Sequence, residues 1–158
     1  MYLSRLLNMK TLNISTLITI HLLFLSLLFT ISTHAGETVT VYKSPTCGCC
    51  AKWVDYMRDN GFEVVAHDIA RLNDMKAKLG MTNQRLMSCH TAVIGDYLVE
   101  GHVPASDIKR MLKDKPQIKG LTAPGMPQLS PGMASLEPKG YDVLSFDNDG
   151  NINVFSSY

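Results

Sequence analysis

No acidic side chain occurs before Glu37, and the only Lys or Arg in that opening stretch are Arg5 and Lys10. A leader without negative charge, followed by a run dominated by Leu, Ile and Phe, has the composition of a targeting segment and not of a folded element. Arg5 and Lys10 supply its positive region, Leu17 to Ile31 its apolar region, and Thr33-His34-Ala35 puts small residues where a signal peptidase reads them. The expectation is a signal peptide over residues 1–35, cleaved after Ala35, and export of the remainder to an oxidising compartment. Left uncleaved, Leu12 to Ile31 is long enough, at about 20 residues, to hold the chain in a membrane; that anchor is the only membrane contact the sequence suggests.

An excess of charge of either sign is also missing. The whole chain of 158 residues has 15 Lys and Arg against 14 Asp and Glu, and beyond residue 35 the balance is 13 to 14. No basic surplus is present to neutralise a phosphate backbone, so nucleic acid is excluded as a partner. The whole chain is 46% hydrophobic, and the exported part, residues 37–158, has the makings of one globular domain.

Cysteine is sparse, with four in the chain, all in the exported part: Cys47, Cys49, Cys50 and Cys89. An oxidising compartment makes structural disulfides the plain alternative, with three possible pairings. The spacing disfavours two simple staples. A Cys49–Cys50 bridge closes a strained vicinal ring, Cys47–Cys49 nearly so, and a domain of this length buries enough apolar surface without staples. A second Cys-x-x-Cys is absent as well, which excludes a zinc ribbon.

The pattern around the cysteines places them. Val39 to Tyr42 reads as a β-branched strand, Lys43-Ser44-Pro45-Thr46 as a turn, and Ala51 to Asn60, with Trp53, Val54 and Met57, as a helix stopped at Asn60-Gly61. Phe62 to Ala66 is a second strand and Ile69 to Leu79 a second helix. Thr91 to Ile94 and Tyr97 to Val99 form a hairpin around Gly95-Asp96, and Ala105 to Leu112 is a helix following Pro104. The order β-α-β-α-β-β-α is that of an α/β thioredoxin-like domain, with the thiols at a helix N-terminus.

Free amide donors at a helix N-terminus favour a thiolate, which makes Cys47 the more acidic sulfur. Cys47 and Cys50 form a Cys-x-x-Cys redox pair, and Cys49 adds a sulfur that a redox pair does not need. Soft sulfurs at such density select Cu(I), zinc or an iron–sulfur cluster over hard cations. Cys89-His90 precedes the third strand, where thioredoxin-like folds normally carry a cis-proline. Here no proline stands, and a fourth sulfur and an imidazole occupy the positions that face the helix end. His102 is a second-site or docking candidate; His67 reads as a surface residue, and Trp53 as core. Asp147 to Asn151 lacks the Glu of a calcium loop and reads as a hairpin turn.

Residues Thr40 to Cys50, Ser88 to Thr91, Val99 to Ala105, Gly120-Leu121, and Ala123 to Pro127 through Ser130-Pro131-Gly132-Met133 together resemble the CopG-like periplasmic copper-resistance proteins, a thioredoxin-like metal-binding family long of unknown function. The resemblance spans about residues 39 to 155. It implies copper bound by cysteine sulfur, a part in copper detoxification beside other periplasmic copper-resistance proteins, and a change of copper oxidation state as the activity of a copper oxidoreductase.

The segment 117–158 extends beyond a plain thioredoxin. Gly120 to Pro138 holds Pro124, Pro127, Pro131 and Pro138, which predicts a Pro/Gly/Met-rich loop without helix or ladder. Met126 and Met133 each end a Pro-Gly-Met triplet, and thioethers suit Cu(I); packing is the alternative for both. Tyr141 to Phe146 and Ile152 to Phe155 close the chain as a C-terminal β-hairpin. The expected metal set is Cys47, Cys49, Cys50 and Cys89, with His90, His102, Met126 and Met133 as further candidates. The leading function is a multinuclear Cu(I) site with a copper redox role. The alternatives are a thiol–disulfide oxidoreductase acting on proteins through Cys47 and Cys50, and a structural zinc module.

Overall fold

The structure is a computed structural model, and it describes residues 37–134 and 137–158. The expected leader, residues 1–35 with its cleavage point at Ala35, lies outside the described residues. Seven strands form one mixed sheet in the order β2-β1-β3-β4-β5-β6-β7, with β1 at Thr38–Lys43, β2 at Glu63–Asp68, β3 at His90–Ile94, β4 at Tyr97–Glu100, β5 at Gly120–Thr122, β6 at Asp142–Phe146 and β7 at Ile152–Ser157. Three α-helices are described: α1 at Gly48–Asp59, α2 at Leu72–Lys78 and α3 at Ala105–Asp114. None of the described helices is long and apolar enough to cross a membrane.

The β1-α1-β2 unit is a parallel crossover, β3 runs antiparallel to β1, and β3 and β4 form the hairpin around Gly95-Asp96. Strand alternation then sorts the residues. Val39, Val41, Ala92, Ile94, Val99, Leu121 and Val143 pack with Trp53, Val54 and Met57 of α1 and Ile108 and Met111 of α3 in the main core. Residues of the opposite parity, Val93, Leu98, Leu144 and Phe146, pack with Leu79, Met81 and Leu86 on the other face.

The expected order is present, with adjustments at helix ends and in the extension; the second helix begins at Leu72 and not at Ile69. Helix α1 begins at Gly48 and not at Ala51, so Cys49 and Cys50 lie inside its first turn and Cys47 is the N-cap residue. The Pro/Gly/Met-rich segment was expected to make no ladder, yet Gly120–Thr122 forms β5, parallel to β4 and antiparallel to β6. These three residues precede the first proline and keep their amide protons, and Leu121 is fully buried in the core, so the ladder and the core both recruit them. Around Asp147 the turn reading holds: its Oδ1 accepts from the Asp149 and Asn151 amides at 2.9 Å.

Candidate metal centre

The candidate centre lies where β1 ends, β3 begins and β4 ends, and three chain segments meet there. Lys43, the last residue of β1, pairs with His90, the first of β3. Beyond Lys43 the Ser44–Thr46 turn, closed by the Cys47 amide on the Ser44 carbonyl at 3.1 Å, turns the chain into α1. Among the described residues no side chain caps α1, and its first turn carries no acid, so its positive end is open to the sulfurs.

Cys47 and Cys50 form a disulfide in this state, while Cys49 and Cys89 are free. The four Sγ atoms lie within 4.8 Å of one another. Cys49 Sγ is 3.5 Å from Cys47 Sγ, and Cys50 Sγ is 3.6 Å from the Cys89 carbonyl oxygen, so the segment before β3 rests directly on the helix end. The structure therefore gathers all four cysteines named from the sequence, across a separation of 39 residues between Cys50 and Cys89.

A second group shares Cys89: its Sγ, His90 and His102 also offer ligand atoms within 4.8 Å of one another. Cys89 Sγ is 3.0 Å from His102 Nε2 and 3.5 Å from His90 Nδ1. His102 Nδ1 is 2.7 Å from the Pro131 carbonyl, which only accepts, so Nδ1 carries the proton and Nε2 presents its lone pair to Cys89. An imidazole steered by a backbone carbonyl in this way is the usual outer support of a metal-binding histidine. His90 is fully buried, its ring 4.5 Å from that of Trp53 and 5.1 Å from that of His102, and its Nε2 has no hydrogen-bond partner among the described residues. Trp53, the core residue expected from the sequence, is held by its indole N–H on the Val103 carbonyl at 2.9 Å.

Electrostatics keep the metal-free group neutral. Burial, and after it the neighbouring Cys49 sulfur, push the Cys89 thiol up to about 12. Burial also holds His90 well below its usual range, with the His102 and Lys76 charges adding to the effect, and lowers His102 against the opposing pull of the Pro131 carbonyl. A bound cation reverses that preference, because its charge favours the thiolate over the thiol. The donors are sulfur and imidazole with no carboxylate among them, which fits a soft or borderline ion and not a hard one.

The extension covers this corner. Gly132 has φ +84°, and a Cβ there would stand 2.8 Å from the Trp53 amide nitrogen and 2.9 Å from the Cys49 carbonyl oxygen. Only a glycine lets the loop lie on the first turn of α1 while Pro131 reaches His102. Met133, beside it, is half-buried, and Met126 is 54% exposed. His67 sits away on β2, stacked on Tyr42. Sequence reasoning missed Lys76 and Glu100, which are both buried behind the centre. Charged residues in an amphipathic helix and at a strand end read as solvated, and nothing local reports that they meet.

The sequence profile of a family described as "Protein of unknown function, DUF411" matches residues 86–133. Two solved structures of copper resistance protein CopG, form 1 and form 2, are each 36% identical to this chain, with a TM-score of 0.71; the match covers 78% of this chain and 98% of theirs. No curated protein sequence matches.

Proposed function

The chain belongs to the CopG family of copper resistance proteins, and from that premise we propose that it is a periplasmic copper-binding protein that holds Cu(I) in a multinuclear cysteine site and exchanges electrons with it. The observation that carries this reading is the convergence of four Sγ atoms within 4.8 Å at the open end of a helix. Four soft donors so close exceed what one Cu(I) uses, so the sulfurs bridge neighbouring ions, and the helix terminus offsets part of the thiolate charge.

Cys47 and Cys50 supply the redox capacity. Closing their disulfide from two thiols releases two electrons and two protons, which reduces two Cu(II) ions to two Cu(I); opening it consumes the same. Copper ions are thus both cargo and redox partner, and other periplasmic copper-resistance proteins are the natural donors and acceptors. Because the closed disulfide removes two of the four thiolates, full Cu(I) loading requires prior reduction.

A thiol–disulfide oxidoreductase acting on proteins is the second reading, favoured by the Cys47–Cys50 disulfide at the helix end. Cys49 within 3.5 Å of Cys47 and Cys89 beside Cys50 weigh against it, since extra thiols divert a mixed disulfide. Anaerobic Cu(I) titration of the reduced protein separates the two. The proposal expects saturation above one equivalent, a smaller capacity in Cys89→Ser, and weaker binding by the disulfide form. A sharp endpoint at one copper that Cys89→Ser leaves unchanged overturns the shared site.

A further inference from the structure

Glu100 is fully buried at the end of β4, and its carboxylate bonds to residues on both sides of the Cys89-His90 dipeptide. Oε1 accepts from the Ser88 amide at 2.6 Å and from Lys76 Nζ, and Oε2 accepts from the Thr91 hydroxyl at 2.5 Å. Ser88 and Thr91 flank Cys89 and His90 on either side, so one carboxylate clamps both ends of the dipeptide. The same residue stands two positions before His102, and the intervening Gly101 donates its amide to the His90 carbonyl at 2.9 Å.

Lys76 completes the arrangement. It is 1% exposed on α2, and besides the carboxylate its Nζ also donates to Thr91 Oγ1 at 2.8 Å. A buried ion pair is a poor source of stability, because desolvation consumes most of its Coulombic gain, so its placement calls for another explanation. Thioredoxin-like folds use a cis-proline to hold the segment that faces the helix end, and the described residues contain no cis peptide.

We propose that Glu100, neutralised by Lys76, is the positioning residue that presents Cys89, His90 and His102 to the metal. The idea rests on the copper reading for its purpose but not for its geometry, so the test has a metal-free arm. In the disulfide form only Cys49 and Cys89 are free, and site-resolved iodoacetamide alkylation reports each of them. Glu100→Ala, and more gently Thr91→Val, should speed alkylation of Cys89 while leaving Cys49 unchanged.

In the reduced protein, Cu(I) capacity of Glu100→Ala should fall to that of Cys89→Ser, and copper transfer to bicinchoninate should quicken by about tenfold or more, the usual scale of losing an outer support. The double variant Lys76→Met with Glu100→Gln keeps an acceptor for the Ser88 amide and a partner for Thr91 without burying charge, and should restore both readouts. If Glu100→Ala does not fold, Thr91→Val and the double variant carry the test. Unchanged Cys89 alkylation in Thr91→Val and in every folded Glu100→Ala sample, or equal acceleration at Cys49 and Cys89, overturns the proposal. Absence of Cu(I) uptake by the parent protein overturns the copper reading instead, with the alkylation pattern still deciding the clamp.

Discussion

Replacing Gly132 by Ala tests whether the extension truly rests on the cysteine helix. Two costs arise. An L-residue at φ +84° carries left-handed strain of about 1–2 kcal/mol. The new Cβ would also sit 2.8–3.0 Å from backbone atoms of Trp53 and Cys49, so the loop must retreat several tenths of an ångström to reach ordinary contact. Retreat of Gly132 draws Pro131 from His102 and weakens their 2.7 Å hydrogen bond, at about 1 kcal/mol. The sum is about 2–3 kcal/mol, or roughly 8–12 °C in Tm for a domain of this size. Gly125→Ala is the matched control, because Gly125 has φ +69° but nothing within 4 Å of its built Cβ, leaving only the strain. Thermal unfolding of the metal-free disulfide form should place Gly132→Ala clearly below Gly125→Ala. Equal Tm losses in the two variants would refute the close approach, and with it the link from the loop to His102.

The pH dependence has a defined sign. His90 and His102 are both depressed in the fold, so their contribution to metal-free stability is fully present above about pH 6.5, the unfolded value, and is lost as pH falls through the folded values. Urea unfolding across that range should show the loss, and His102→Gln should shallow the acid limb; an identical limb assigns the loss elsewhere. The methionine loop gives a separate expectation. Leu at both Met126 and Met133 should cost less than about 1.5 kcal/mol if volume is all they supply. If the thioethers also ligate Cu(I), the double variant should keep full cysteine-bound copper but change its exchange rate or copper potential, and parent-like values for both would make the loop packing alone.

Much of the fold was legible because its signals are local. The β-branched run Val39 to Tyr42, the Asn60-Gly61 stop and the Gly95-Asp96 turn each encode an element through neighbours a few residues away. The start of α1 was misplaced by three residues because Gly48-Cys49-Cys50 has little helical propensity; the turn before it and the packing of Cys50, fully buried, draw these residues into the helix. Residues 120–122 were hidden by the prolines that follow them, and the ladder that recruits them comes from β4 and β6.

The centre divides in the same way. Cysteine spacing alone determined that three sulfurs cluster, because three residues in four positions cannot separate, and the flanking strand, turn and helix pattern put them at a helix N-terminus. The place of Cys89 followed from strand order. What only the tertiary structure decided is which groups surround it: His102 at 3.0 Å from the Cys89 sulfur, Pro131 setting the His102 tautomer from 29 residues away, and Lys76 reaching from α2 to Glu100 on β4. A charged or imidazole side chain has the same local pattern whether solvated or buried. Its fate is set by which distant segment excludes water from it, and that is a property of packing that no window of sequence contains.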